Sequence, residues 1–278
     1  MLLKYIESRV FLPPQPLLDY PLDLAEDIDA EETLVNDVCT DIFQECGVPS
    51  ICSLFGDGVL ARFNVVFFHG NSEDLKSIQW FIKDLREVLL SNVYAFEYAG
   101  YFRASGAESP VDAQPSEQGC FENAEKFIEA LQKRSRLPVI LFGYSLGSAI
   151  ALHCAEKFKS DDFPKAVILL APFVSAASVV LAPYSSMLSF TSLWRPFDVF
   201  SMRSSALNQG HRIFIAAGGK DDVVPECHSK AIARWAGRNG RVSYLLIPEA
   251  DHSSIRLYAD LYEHINHFLH ELYRGVSL

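Results

Sequence analysis

The sequence predicts an α/β fold: a doubly wound, mostly parallel sheet with helices on both faces and a small helical cap insertion. Three observations predict it. Short, wholly apolar runs recur along the 278 residues. Longer stretches with helical periodicity fall between them. One apolar run passes through Gly143-Tyr144-Ser145-Leu146-Gly147 straight into a helical pattern. Runs such as VVFF and FIAA show no polar alternation, which marks strands buried on both faces of a parallel sheet. Strands alternating with helices over short links define the doubly wound class.

Taken in order, the first 63 or so residues carry few periodic signals. The PPQP at 13–16 forces an extended loop. Asp23, Glu26, Asp27, Asp29, Glu31 and Glu32 form an acidic, solvated patch. Phe55-Gly56-Asp57-Gly58-Val59 reads as a hairpin turn. Strands are then predicted at 64–68, 93–98, 138–142, 166–170, 212–217 and 242–247. Helices are predicted near 75–91, 121–135, 148–158, 226–238 and 255–273. Nothing resembles a linker or a repeat, so 1–278 is expected to form a single domain.

The bulk numbers exclude some functions. Hydrophobic residues make up 49% of the chain and charged residues 21%, enough apolar mass for a large core. The formal net charge is -11. A nucleic-acid binder needs a basic face, and an acidic chain has no general attraction to anionic lipid. The cysteines at 39, 46, 52, 120, 154 and 227 form no CxxC pair, and MLLKYIESRV lacks a signal-peptide core. Reduced thiols and a cytoplasmic location are therefore expected. The longest apolar stretch, 166–183, is interrupted by Pro172 and Ser175. It reads as a buried strand and then another element, and no transmembrane segment is expected. Peripheral membrane contact stays compatible with the sequence.

In a doubly wound sheet, chemistry collects at the carboxyl ends of the strands, and Ser145 sits at such an end. A sharp strand–turn–helix lifts the serine hydroxyl into solvent and requires small neighbours, which Gly143 and Gly147 supply. A GxSxG arises by chance in about one chain of this length in ten; its place between strand and helix makes it more specific. A serine hydroxyl is a weak nucleophile and needs a base, which in turn needs an orienting carboxylate. Both follow later strands: Gly218-Gly219-Lys220-Asp221-Asp222 after 212–217, and Pro248-Glu249-Ala250-Asp251-His252 after 242–247. The order Ser, Asp, His suits this fold; Asp221 and Asp222 both qualify as the acid. The oxyanion formed by attack on a carbonyl needs backbone N–H donors, each worth about 3 kcal/mol. Leu146 supplies one candidate. Asn71, in the His69-Gly70-Asn71 turn after 64–68, supplies the other.

Six stretches carry a resemblance to a known family: VFLPPQP, FFHGNSEDL, YAFEYAGYFRASG, LFGYSLGSAIAL, GGKDDVVPECHSKAI and IPEADHSSI. Over about Val10 to Leu269 the chain resembles the α/β-hydrolase superfamily of serine hydrolases. Within it, the chain is similar to the alpha/beta-hydrolase-domain-containing protein 17 and Bem46-like branch. The resemblance implies Asp221 as the acid, three residues after the turn glycine Gly218. It implies hydrolysis of esters or thioesters, including removal of acyl groups from proteins, with no metal or organic cofactor. The sequence departs from the branch at Glu97-Tyr98-Ala99-Gly100-Tyr101-Phe102, where an Asp-Tyr-Ser-Gly-Tyr-Gly run is usual. It departs again at Glu249-Ala250-Asp251-His252, where a GAGH-like run is usual; Asp251 brings extra negative charge near the base. The branch's N-terminal cysteine cluster has no counterpart here.

The segment 173–207 is expected to form the cap, and its Phe173, Tyr184, Met187 and Trp194 are candidate substrate contacts suited to an acyl chain. His264, His267 and His270 spread around one helix and do not converge on a metal. His228 is a candidate supporting residue beside the acid. The expected protein is a serine hydrolase of acyl esters or thioesters, acting on a small-molecule or lipidated substrate. A serine peptidase of the same fold, or a non-catalytic hydrolase scaffold, are the alternatives.

Overall fold

The structure is a computed structural model, describing residues 10–15, 18–21, 45–55, 61–105, 114–158, 163–180, 197–199, 211–237 and 241–274. The chain packs as two compact units, residues 1–139 and 140–278.

The first unit holds β1 (Leu18–Pro21), β2 (Ser50–Ser53), β3 (Asn64–Phe68), α1 (Gln79–Leu89), β4 (Asn92–Phe96), β5 (Phe102–Ser105) and α2 (Glu117–Arg134). β3 and β4 run parallel, with Asn64 opposite Asn92, and β2 lies antiparallel on the other side of β4, with Ser50 opposite Phe96. β1 and β5 form a separate parallel pair. Every residue of β3 is buried. That explains its unbroken NVVFF: a polar residue in mid-strand would have no water on either face. The core of this unit is aromatic, with Phe96 stacked on Phe127 and edge-on to Phe68. The second helix begins four residues before its predicted start. Ser116 caps it by accepting from the N–H of Gly119, and Glu117 opens the first turn.

The second unit holds β6 (Val139–Tyr144, its first residue closing the first unit), α3 (Leu146–Lys157), β7 (Ala166–Leu170), α4 (Ala176–Val180), β8 (Arg212–Gly218), α5 (Glu226–Ala236), β9 (Val242–Ile247), a 3₁₀ turn (Ser254–Leu257) and α6 (Ala259–Arg274). β6, β7, β8 and β9 pair in sequence order, all parallel. β6 and β7 are buried throughout. β9 departs from the expectation of burial on both faces: among the described residues it pairs with β8 alone, and Tyr244 and its neighbours are partly exposed. The strand packs against both α5 and α6, and of its six residues only Ile247 is fully buried.

One thiol also departs from expectation. Cys52 on β2 is disulfide-bonded, whereas Cys46, Cys120, Cys154 and Cys227 stand outside any disulfide. Cysteine spacing alone does not reveal a pairing made by the fold. Among the described residues no helix is long and apolar enough to cross a membrane. The acidic patch at 23–32 and residues 56–59 of the expected hairpin turn lie outside the described residues.

Candidate active site

β6 ends at Tyr144 and α3 begins at Leu146, so one residue makes the whole turn. That residue, Ser145, has φ 51° and ψ -115°, a conformation costly for any residue with a Cβ and usually confined to functional sites. The turn is held by the N–H of Ser145 donating to Leu170 O at 2.9 Å. Ser148 Oγ lies 3.0 Å from Gly143 O and 3.2 Å from Leu170 O. A Cβ on Gly143 would stand 2.5 Å from Ser148 Cα and 2.6 Å from Gly147 O, so only glycine lets the helix fold back this closely.

Asp221 and His252 come from the turns after β8 and β9. His252 Nε2 is 3.1 Å from Ser145 Oγ, and His252 Nδ1 is 2.7 Å from Asp221 Oδ2. Asp221 is buried, and its other oxygen accepts from the N–H groups of Val223 at 3.0 Å and Val224 at 2.7 Å. That carboxylate is thus fixed as an acceptor with one oxygen left for the imidazole, whose Nδ1 must donate. The neighbouring Asp222 is exposed and makes no such contact. Of the two adjacent aspartates, it is Asp221 that lies within hydrogen-bond distance of His252.

The two turns interlock. The N–H of Gly219 donates to Ile247 O and that of Lys220 to Ala250 O, both at 2.9 Å, and Lys220 pairs with Glu249 across the surface. A Cβ on Gly218 would lie 2.4 Å from Ala250 O, and one on Gly219 2.5 Å from Pro248 O. The Gly-Gly pair thus brings the β8 and β9 turns close enough for Asp221 to reach His252. Asp251, expected to bring negative charge near His252, does interact with it and is also tied into its own turn. Its Oδ1 accepts from the N–H groups of Ser253 and Ser254 at 3.0 and 2.8 Å. These bonds hold its carboxyl below its ordinary range and tie it to the residues that open the 3₁₀ turn.

Three residues around the site were not singled out as functional, or only loosely. Tyr144 Oη donates to His252 O at 2.8 Å, and Arg256 sits over the Tyr144 ring at 4.3 Å. His228 Nδ1 accepts from the N–H of Val174 at 3.3 Å. Burial lowers the pKa of His228, against the pull of the Asp221 charge, so it serves as a neutral support of the loop after β7.

In the first unit, the turn after β3 is held by a buried polar cluster. His69 and Glu97 are both fully buried, with His69 Nε2 3.0 Å from Glu97 Oε1 and His69 Nδ1 2.9 Å from Gly70 O. Both ring nitrogens face acceptors. Burial disfavours the charged ring, but the Glu97 carboxylate outweighs it, and the pKa of His69 is raised. The other Glu97 oxygen accepts from Leu75 N–H at 3.2 Å. Tyr98 Oη donates to His69 O at 2.9 Å. Asn71 Oδ1 accepts from Tyr101 Oη at 2.6 Å and Leu12 N–H at 3.0 Å, while the N–H of Asn71 makes no hydrogen bond among the described residues. As the first residue of α3, Leu146 has no N–H partner within its helix.

Of the expected cap contacts, Tyr184, Met187 and Trp194 lie outside the described residues. Phe173 is buried directly after β7, with little surface left for a ligand. His264 and His267 bond within their own helix, to Asp260 O and Glu271. Among the described residues no group of three or more His, Cys, Asp or Glu side chains is arranged to hold a metal.

The fold and the serine turn define the class, an α/β hydrolase. Residues 61–201 match the family model described as serine aminopeptidase, S33, and the chain belongs to that family of α/β hydrolases. It is similar to alpha/beta hydrolase domain-containing protein 17C of Xenopus tropicalis, 28% identical over 216 residues, which cover 76% of this chain and 63% of the relative. It is also similar to human protein 17B, 26% identical, covering 75% of this chain and 67% of that one. The chain thus spans a little under two thirds of the 17C relatives it matches. Among solved structures, the soluble variant of monoglyceride lipase from Saccharomyces cerevisiae matches with a TM-score of 0.58 at 17% identity, over 83% of this chain and 92% of the lipase. An esterase of Pyrococcus furiosus matches with a TM-score of 0.59 at 14% identity, over 81% and 88%. At these identities the likeness concerns the fold.

Proposed function

We propose that the protein is a serine hydrolase that cleaves carboxylic acyl esters or thioesters through an acyl-enzyme. The observation that carries this reading is the continuous chain from Ser145 Oγ to His252 at 3.1 Å and on to Asp221 at 2.7 Å. His252 takes the hydroxyl proton as Ser145 attacks the carbonyl, and Asp221 fixes the ring tautomer and stabilises the imidazolium. The N–H of Leu146 stabilises the oxyanion. His252 then protonates the leaving alcohol or thiol, and water, activated by the same imidazole, releases the acid.

Acyl substrates are favoured over peptides because the relatives of the same fold include a lipase and an esterase. The peptidase reading rests on the family description. The test is labelling with an active-site fluorophosphonate, followed by rates on acyl esters, acyl thioesters and aminoacyl amides. Ser145 should be labelled, and Ser145→Ala should lose both labelling and turnover while staying folded. A folded wild-type protein that resists the reagent would mark a non-catalytic scaffold. Efficient turnover of aminoacyl amides, in place of turnover confined to acyl esters and thioesters, would make it a peptidase.

A further inference from the structure

We infer that Tyr144, the residue before the nucleophile, is a positioning residue for His252, and that Arg256 acts through it. This rests on the serine-hydrolase reading of the same site. The observation is a cluster in which Tyr144 meets two groups of one distant turn, His252 and Arg256. Tyr144 Oη donates to the carbonyl of His252 at 2.8 Å. The Tyr144 ring lies beside the His252 ring, with centroids 5.3 Å apart and planes 33° from parallel. The Arg256 guanidinium covers the tyrosine ring at 4.3 Å.

Each contact has a distinct physical effect. The hydrogen bond ties the backbone of the histidine turn to the end of β6, so the base and the nucleophile ride on one linked frame. The flanking ring limits the sideways swing of the imidazole away from Ser145. The cation over the ring draws electron density from the phenol and makes its O–H a stronger donor. Tyr144 and Arg256 are both almost fully buried, so this brace works where water competes little for the bond. The carbonyl of Arg256 also accepts from Tyr262 Oη, which anchors the 3₁₀ turn to α6.

A general base misplaced by a fraction of an ångström loses rate without losing substrate. The brace should therefore show in kcat and in the reactivity of Ser145, not in KM. The experiment uses the full chain with Tyr144→Phe, which keeps the ring and removes one oxygen. It compares kcat and KM on an acyl ester, the rate of fluorophosphonate labelling and the thermal midpoint. Expected are falls of about tenfold in both kcat and labelling rate, with KM and the thermal midpoint nearly unchanged. Arg256→Leu should reduce both rates in the same direction, and the double variant should be no slower than Tyr144→Phe, because the arginine acts through the phenol.

Unchanged labelling and kcat in Tyr144→Phe would overturn the inference. So would a loss of rate that disappears once activity is normalised to the fraction of folded protein. Fully additive effects in the double variant would overturn the role given to Arg256. Should wild-type Ser145 fail to label at all, the hydrolase reading itself fails, an outcome distinct from any of these.

Discussion

At the scale of single residues, the site separates what a motif encodes from what the fold supplies. Ser145, His252 and the flanking glycines are legible in the sequence because each needs a particular residue type at a fixed offset from a strand end. The acid is only half legible. Two adjacent aspartates satisfy the pattern, and the choice is made by the N–H groups of Val223 and Val224, which turn one carboxylate inward. Asp221→Asn is expected to lower kcat by about 10⁴, because an amide in that place stabilises the wrong imidazole tautomer. Asp222→Asn should leave kcat within about twofold, since its side chain is exposed. Steady-state kinetics on one ester decides between them, and a larger loss for Asp222→Asn would reverse the assignment. Tyr144 and Arg256 were not legible as functional residues: Tyr144 binds a carbonyl 108 positions away, and no local pattern announces such a bond.

At the scale of elements, the strands at 64–68, 166–170 and 242–247 and the helices near 79–89, 146–157 and 226–236 were readable within a few residues. Long apolar or periodic runs leave few alternatives. The short β1, β2 and β5 were not, because four residues give too little pattern to see. Nor was the buried His69–Glu97 pair that holds the turn after β3. That pair makes a claim about pH. The folded pKa of His69 is raised by Glu97 in spite of burial, with Glu73 as the next acidic neighbour and the phenols of Tyr98 and Tyr101 beside the ring. A raised pKa means that the stabilisation is complete below the ordinary histidine value and fades as pH rises through the folded one. Urea midpoints of wild type and Glu97→Gln, measured from about pH 6 to about pH 9, should differ most at the acidic end and converge toward the alkaline end. The acidic-end gap should be a few kcal/mol, about 3–5 for an orphaned partner of a buried pair. A gap that widens with pH would show that His69 is neutral in the fold.

At the scale of the whole molecule, composition foretold a large core, and the order of buried runs such as NVVFF and AVILL among helical stretches foretold the α/β class. It did not foretell which face a substrate approaches. Net charge does bear on that approach. The chain carries -11, and an anionic bilayer surface holds a potential of roughly -30 mV. At about 2.3 kcal/mol per charge per 100 mV, each excess negative charge brought to that surface costs roughly 0.7 kcal/mol. Two such charges within a Debye length already amount to about 1.4 kcal/mol, close to tenfold in local concentration. If the protein acts on acyl chains held in membranes, hydrolysis of an ester carried in vesicles should be slower when the vesicles contain phosphatidylserine than when they are phosphatidylcholine alone. The gap should narrow as salt rises from about 0.1 M toward about 1 M, where the screening length falls from about 10 Å to about 3 Å. Faster hydrolysis on the anionic vesicles, lost in salt, would mean that a local basic surface governs docking and that the overall charge does not.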